Sequence, residues 1–392
     1  MRKPDFPDVL QHFELSGDFE SADPYGSGHI NDTWLIRFIH SDARKRYVLQ
    51  RINDYVFGNP IQVVENIDRI CGHIGERAES DLSAHLPGQR DFSPVPARNG
   101  DSCWQATGGD VWRLWPFVYG ARTVNSVEST DQAREAAAAF GWFQRLVEGL
   151  PEPPLHETIP GFHDTLSRLD QFRQALENDV ENRAGSCSQE IEFALASESH
   201  ITRFSSLVTS GALPVRVAHN DAKINNVMLD EKTEKAFCVI DLDTVMPGLA
   251  LFDFGDMIRT MTVPTAEDSI DLEAITIDME LYAAITEGYL SAVGEMLSPT
   301  EIEHLPNAGR IITIETGLRF LTDYLEGDRY FRTSRTDQNL DRCRSQFALV
   351  RSINAQMDAL QSLTAEVARI SGARARRLRT TRRVPIMMSA PA

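Results

Sequence analysis

Apolar and polar positions alternate along the early part of the chain and recur at helical spacing along most of the rest. Residues up to about 20 open with a short helical pattern. A strand-like run follows at 34–39, and a second, R-Y-V-L-Q-R-I-N, at 46–53. Alternation in that second run places Tyr47, Leu49 and Arg51 on one face. Residues 60–72 read as a helix, and Pro87, Pro94 and Pro96 break any long helix in the mixed stretch 76–109. V-W-R-L-W-P-F-V-Y-G at 111–120 is an aromatic strand running into a turn. Helical spacing then takes over. Residues 129–148 carry Ala136, Phe140, Phe143 and Val147 on one stripe, and Pro151, Pro153 and Pro154 end it. Further helices are expected at 164–182, 188–210, 276–293, 300–324 and 340–370. Two short apolar β-like runs, 226–229 and 236–240, interrupt this helical part and flank a charged turn at 230–235. Residues 370–392 carry many arginines and no acids, and read as a disordered basic tail.

Bulk properties narrow the class. The 392 residues are enough for one large or two modest domains. A net charge of −18 favours solubility and argues against general nucleic-acid binding. No apolar run approaches the length of a membrane span, and Met1-Arg2-Lys3-Pro4-Asp5 has no apolar signal region. The five cysteines, Cys71, Cys103, Cys187, Cys238 and Cys343, form no Cys-x-x-Cys pair, so reduced thiols in a cytoplasmic protein are expected.

The chemistry concentrates at the two interrupting runs. His219, Asp221 and Asn226 precede the first; Asp241 and Asp243 follow the second. One carboxylate can orient a hydroxyl and accept its proton, while an amide and further carboxylates can hold Mg²⁺, which prefers oxygen ligands. Phosphoryl transfer from ATP needs that combination. The spacing Asp221-x-x-x-x-Asn226 matches the H-R-D-x-x-x-x-N of protein kinases. Upstream, Gly26, Ser27, Gly28, His29, Asn31 and Thr33 form a glycine-containing turn that could approach phosphates closely; taken alone the segment favours an ordinary hairpin turn, and its place before a strand upstream of the kinase-like motifs raises the phosphate reading. Arg51 is the candidate phosphate-binding cation, with Glu65 as its partner; Lys223 is a second cation. Main-chain groups of Phe117 and Val118 are expected to meet the adenine edge where two lobes join. Arg319, Asp323, Tyr324, Tyr330 and Phe331 crowd a helix end in a manner suited to a sugar.

These motifs resemble the aminoglycoside phosphotransferase/choline kinase family, and within it the N-acetylhexosamine 1-kinases. The closer likeness rests on G-x-G-H-I-N-D-T at 26–33, V-L-Q-R-I-N at 48–53, P-F-V-Y-G-A-R-T at 116–123 and E-T-I-P-G-F-H-D-T at 157–165. It continues through D-L-D-T-V-M-P-G with D-F-G-D at 241–256 and L-R-F-L-T-D-Y-L-E-G-D-R-Y-F at 318–331. The resemblance implies an α+β, protein-kinase-like bilobal fold: a small β-rich N-lobe over 1–115, a larger mainly helical C-lobe over 116–365, and the tail from 366. It implies Asp221 as catalytic base, Asn226 and Asp241 as magnesium ligands with Asp243 beside the metal, and a sugar held by Asp221, Arg319, Tyr330 and the ring of Phe331. Many members of the broader family carry Gly where this chain has Asn220.

The expected reaction is transfer of the ATP γ-phosphoryl to the anomeric hydroxyl of an N-acetylhexosamine, with ATP and Mg²⁺ as cofactors and the sugar as small-molecule partner. Two rivals stand beside it: the same fold acting on an aminoglycoside, a choline-like amino alcohol or another hexose, and a catalytically inactive kinase-like binding module.

Overall fold

The computed structural model describes residues 4–26, 30–40, 43–77 and 85–381, with side chains described as far as residue 372. The short helix α1 (Phe6–Leu10) is capped by Asp5 and leads to strand β1 (Asp18–Pro24). Strands β2 (Asp32–His40) and β3 (Ala43–Arg51) follow, then helix α2 (Pro60–Glu76), and strands β4 (Trp104–Gln105) and β5 (Val111–Pro116). Among the described residues these strands form one antiparallel sheet in the order β1-β2-β3-β5-β4.

Both faces of this sheet are covered, and strand parity sorts them. Asp32, Trp34 and Ile36 of β2 lie opposite Arg51, Leu49 and Tyr47 of β3. On that outer face Ile36, Leu49, Trp112 and Leu114 pack with Phe6, Val9, Leu10 and Phe13. The other face carries Val48 and Gln50 of β3 with Val111, Arg113 and Trp115 of β5; Val111 and Trp115 join the main core together with α2.

Beyond β5 the chain is mainly helical. The minor strands β6 (Ala121–Arg122), β7 (Arg216–Ala218), β8 (Val227–Asp230), β9 (Ala236–Val239) and β10 (Met246–Gly248) form two small antiparallel sheets, β6-β8-β9 and β10-β7. Helix α3 (Thr130–Val147) starts at the Ser129 cap, and α4 (Thr165–Asn178) at Asp164. The apolar stretch expected as one helix at 188–210 breaks at Ser197 into α5 (Ser188–Ala196) and α6 (Glu198–Thr209). Then come α7 (Ala250–Met261), α8 (Met279–Val293) and α9 (Pro299–Leu325), the last opened by a Ser298/Glu301 capping box. Helices α3 and α8 approach closely because Gly141 and Gly288 present no side chain: a Cβ on Gly288 would lie 2.1 Å from the Arg134 carbonyl oxygen.

Two further expectations change. The pattern at 340–370 is two helices, α10 (Gln338–Ala355) and α11 (Met357–Thr381). The disordered tail placed from 366 is helix as far as Thr381, because Leu360, Thr364 and Val367 at helical spacing are buried against the body. The remaining tail residues, 382–392, lie outside the described residues. All five cysteines are free thiols, in line with the reduced state expected, and burial pushes the Cys71 thiol up to about 12. No described helix is long and apolar enough to cross a membrane.

Candidate functional site

The catalytic loop follows β7. Asn220 is in the left-handed region, φ +64°, a conformation that glycine adopts without strain and asparagine tolerates better than most residues. Here its side chain works in place of that freedom: Nδ2 donates to the carbonyls of Ala218 (3.1 Å) and Thr244 (2.9 Å). Asp253, buried on α7, takes the main-chain N–H groups of His219 (3.0 Å) and Asn220 (2.7 Å), and its Oδ2 also accepts from Gln144 (2.5 Å). Gln144 is in turn held by the Tyr289 hydroxyl at 2.7 Å. His219 Nδ1 accepts from the Asp221 N–H at 3.3 Å, so Nε2 carries the hydrogen and donates to the Ile240 carbonyl at 3.0 Å. The Ile240 N–H returns a bond to the Asn226 carbonyl at 2.9 Å. These bonds fasten the segment before Asp241 to the one holding Asp221 and Asn226, so residues well separated in sequence meet at one place.

Asp221 is gripped at both oxygens. Lys223 Nζ lies 2.9 Å from Oδ1, and Asn226 Nδ2 donates to Oδ2 at 3.1 Å. Burial alone would raise the Asp221 carboxyl, but Lys223, His219 and Arg259 outweigh it and hold it below the usual carboxylate range. It is therefore an anion at neutral pH. Asp241 shows the opposite behaviour. Its backbone is left-handed, φ +61°, and the residue is exposed. Desolvation first, then the charges of Asp243 and Asp221, push it up to about 6. A carboxylate crowded by two others is short of a cation. The donors at hand, the Asn226 amide and the Asp241 carboxylate, are hard oxygens of the kind Mg²⁺ takes in ones and twos, leaving its other positions to phosphates and water. Among the described residues no three or more His, Cys, Asp or Glu side chains form a self-contained metal cage.

Asp243 is engaged differently. It is buried, and Arg113 of β5 forms a bidentate pair with it, NH1 to Oδ1 at 2.5 Å and NH2 to Oδ2 at 2.9 Å. Asn31 Nδ2 donates to the same Oδ2 at 2.6 Å, and the Asn53 N–H binds Asn31 Oδ1 at 3.0 Å. The carboxylate expected beside a metal is thus the point where the sheet is fastened to the catalytic side. Arg113 Nε rests on Gln50 Oε1 at 2.9 Å, which also accepts from Trp115.

Arg51 lies elsewhere. It shares the outer face with Leu49, over the Trp112 ring, and pairs with Asp32 (2.5 Å) and Asp110 (3.4 Å). The expected partner Glu65 instead meets His156 Nε2 at 2.8 Å. The cleft-facing position next to it is Gln50, and Arg113 is a buried cation on the cleft face that sequence reasoning missed. Its signal was an arginine in the middle of an apolar strand, opposite in parity to Trp112 and Leu114. Thr33 does share the cleft face, where Gln50 Nε2 reaches its hydroxyl at 3.3 Å. Gly26 is left-handed, φ +82°, while Ser27, Gly28 and His29 lie outside the described residues. Phe117 and Val118 follow directly on β5; Tyr25, beside Gly26, comes within 6.3 Å of the Phe117 ring, and the Arg46 guanidinium lies 3.8 Å from that ring's centre.

At the other end of the site Asp323 folds the 326–331 loop back by accepting main-chain N–H groups from Arg329, Tyr330 and Phe331, all within 2.9 Å. Arg319, one turn earlier on α9, then lies 5.3–5.8 Å from the ring centres of Phe162, Phe331 and Tyr330. Phe162, His163 and Glu315 were also missed as parts of this region. A cavity of about 370 Å³ lies behind the catalytic loop; its walls include Phe162, His163, Asn220 and Gly248, but none of Asp221, Asn226 and Asp241.

A family model described as APH, phosphotransferase enzyme family, matches residues 21–296, well over half of the chain. Solved structures give the same fold at low identity. An aminoglycoside phosphotransferase from Alicyclobacillus acidocaldarius superposes with a TM-score of 0.56 at 13% identity, covering 95% of this chain and 98% of its own. A choline kinase from Cryptosporidium parvum gives 0.54 at 14%, covering 93% and 96%. A spectinomycin phosphotransferase, solved with ADP and spectinomycin, gives 0.52 at 12%, covering 85% and 93%. The bilobal, kinase-like architecture is therefore the one expected, and the chain belongs to the APH phosphotransferase enzyme family.

Proposed function

We propose that this phosphotransferase moves the γ-phosphoryl group of ATP to a hydroxyl of a small molecule, and that the acceptor is an N-acetylhexosamine phosphorylated at its anomeric hydroxyl. The observation that carries the reading is Asp221, an anion held at both oxygens beside Asn226 and within the field of Asp241. Asp221 orients the acceptor hydroxyl and takes its proton as the bond to phosphorus forms. Lys223 would turn from Asp221 to the transferring phosphoryl group and add positive charge there. Asn226, whose Nδ2 already serves Asp221, would present Oδ1 to Mg²⁺ together with Asp241. The ion, when bound, supplies positive charge to the phosphate oxygens. Asp243 stays with Arg113 and Asn31, holding the sheet over the nucleotide.

Arg319 and the rings of Phe162, Tyr330 and Phe331 supply flat apolar faces with a hydrogen-bonding cation among them, which suits a neutral sugar carrying an acetamido group. A cationic acceptor such as choline or an aminoglycoside would need unspent carboxylates here, and Glu315 and Asp323 already serve other partners. The test is ADP release with ATP, Mg²⁺ and a panel of acetylated hexosamines, unacetylated hexoses, amino alcohols and aminoglycosides, with product position read by phosphorus–proton NMR. A sugar 1-phosphate from an acetylated hexosamine is expected. Preference for a cationic acceptor would overturn the sugar assignment, and ATP binding with no transfer to any acceptor would favour an inactive module.

A further inference from the structure

His163 lies in the segment leading into α4, and both of its ring nitrogens meet acceptors. Nδ1 is 2.8 Å from Glu315 Oε1, and Nε2 is 2.9 Å from the main-chain carbonyl of Asn220. A neutral imidazole has one N–H; two acceptors call for two, and therefore for the imidazolium. The side chains of His163 and Glu315 are 8% and 1% exposed, and the second Glu315 oxygen accepts from the Thr165 hydroxyl at 2.6 Å. The ring is flanked by Phe162 and Phe252, at 4.6 and 4.8 Å between centres. The charged groups facing this pair are Asp256 of α7, which favours the His163 cation, and Arg319 of α9 and Arg168 of α4, which act on Glu315.

The Asn220 carbonyl belongs to the peptide unit that carries the Asp221 N–H. Asp253 fixes the amides of His219 and Asn220, but that carbonyl points the other way, toward His163. We propose that His163, kept as an imidazolium by Glu315, is a positioning residue: its Nε2–H on the Asn220 carbonyl sets the peptide plane that aims Asp221 at the acceptor hydroxyl. The inference rests on reading Asp221 as the acceptor-orienting base. It also ties two ends of the site together. Glu315 and Arg319 are four residues apart on the same face of α9, so the helix carrying the ring-flanked arginine also braces the catalytic loop.

Loss of the ring proton removes one of the two bonds, leaving either the buried carboxylate or the loop carbonyl without its donor. Burial opposes protonation of His163, but Glu315 outweighs it and raises the ring above the ordinary histidine value. Replacing the carboxylate with an isosteric amide removes that support for the charge, but the amide can donate to Nδ1, so a neutral ring keeps its Nε2–H for the Asn220 carbonyl.

The experiment uses the full chain, Glu315→Gln, His163→Leu and His163→Gln, with circular dichroism to verify folding. Long-range proton–nitrogen NMR of labelled histidine should show both His163 nitrogens protonated at pH 7.5 in the wild type and, in Glu315→Gln, a neutral ring with its hydrogen on Nε2. With the best acceptor of the panel, His163→Leu should lower kcat on the order of tenfold with KM for ATP nearly unchanged. His163→Gln, whose amide N–H can take the place of Nε2–H, should recover most of that loss. A wild-type ring that is neutral at pH 7.5, or a His163→Leu kcat equal to that of the wild type, overturns the role. With the wild type active, an unchanged kcat in His163→Leu defeats the positioning role alone; a wild type inactive on every acceptor defeats the kinase reading and this role with it.

Discussion

Beneath the cleft, Asp253 and His163 of the helical region grip main-chain groups of the catalytic loop, Gln144 holds the Asp253 carboxylate, and the Asn220 side chain bonds back to neighbouring carbonyls. Above it, the sheet reaches across with Arg113 and Asn31, which share the single carboxylate of Asp243. The lower side fixes atoms that must be in place before substrate arrives, and fixing main-chain groups leaves the side chains of Asp221, Asn226 and Asp241 for chemistry. The upper side meets the catalytic residues at the carboxylate of Asp243, while Val111, Trp115 and α2 join it to the common core. Preorganisation of the catalytic loop is thus the work of the helical side.

The largest effects test the lower side. Asp221→Asn should reduce kcat on the order of 10²-fold or more, as removal of a general base does, with the fold intact; wild-type turnover would misassign the base. Asp241→Ala should abolish the response of activity to Mg²⁺, read as a flat metal titration. Next comes the buried ion pair between lobes. Arg113→Met leaves the Asp243 charge buried and should cost about 3–5 kcal/mol in denaturant unfolding. Adding Asp243→Leu should return part of that stability, whereas simple additivity would show that the pair is not coupled. The pH dependence of stability is subtler. Glu315 is held below the usual carboxylate range: burial works against this, but His163 outweighs it. Its contribution is present above the unfolded value near 4.5 and is lost as pH falls through the depressed folded value. His163 is raised, so its contribution is full below 6.5 and is lost as pH rises through the folded value. The stability gap between wild type and Glu315→Gln should therefore be widest between about pH 4.5 and 6.5 and narrow on either side. The smallest effect is expected at Arg51→Gln: its part-exposed pairs with Asp32 and Asp110 are worth about 1 kcal/mol or less, and KM for ATP should hold, because the residue faces away from the cleft.

Much of this architecture was legible. Period-two runs gave β2, β3 and β5, helical stripes gave α3, α8 and α9, and the Asp221-x-x-x-x-Asn226 and Asp241-x-Asp243 motifs marked where the chain converges. What failed was a matter of parity and of long-range partners. The alternation that groups Arg51 with Leu49 and Tyr47 was visible, but not which face met the cleft; α1 and Phe13 decide that by covering the Leu49 face. Asp241 and Asp243 look equivalent in the sequence, and a strand more than a hundred residues upstream separates them by supplying Arg113 to one of the two. His163 and Glu315 lie far apart in the chain, and neither stands out alone. The helical run to Thr381 was hidden by its arginines, which outweighed the few apolar residues that dock it.

Asn220 carries one further consequence, for homologous sequences. Its amide occupies the space beside Gly248, where an added Cβ would stand 2.5 Å from Asn220 Oδ1. The two positions form a lock and its keyhole. Where a relative carries glycine at the loop, the tightest of these contacts is gone and the Ala218 Cβ, 3.2 Å from the added atom, is the neighbour left to give way; where it carries asparagine, the second position stays glycine. An alignment of close and distant relatives should therefore show the pair covarying, a mark by which sequences sharing this loop design can be sorted from the rest of the family.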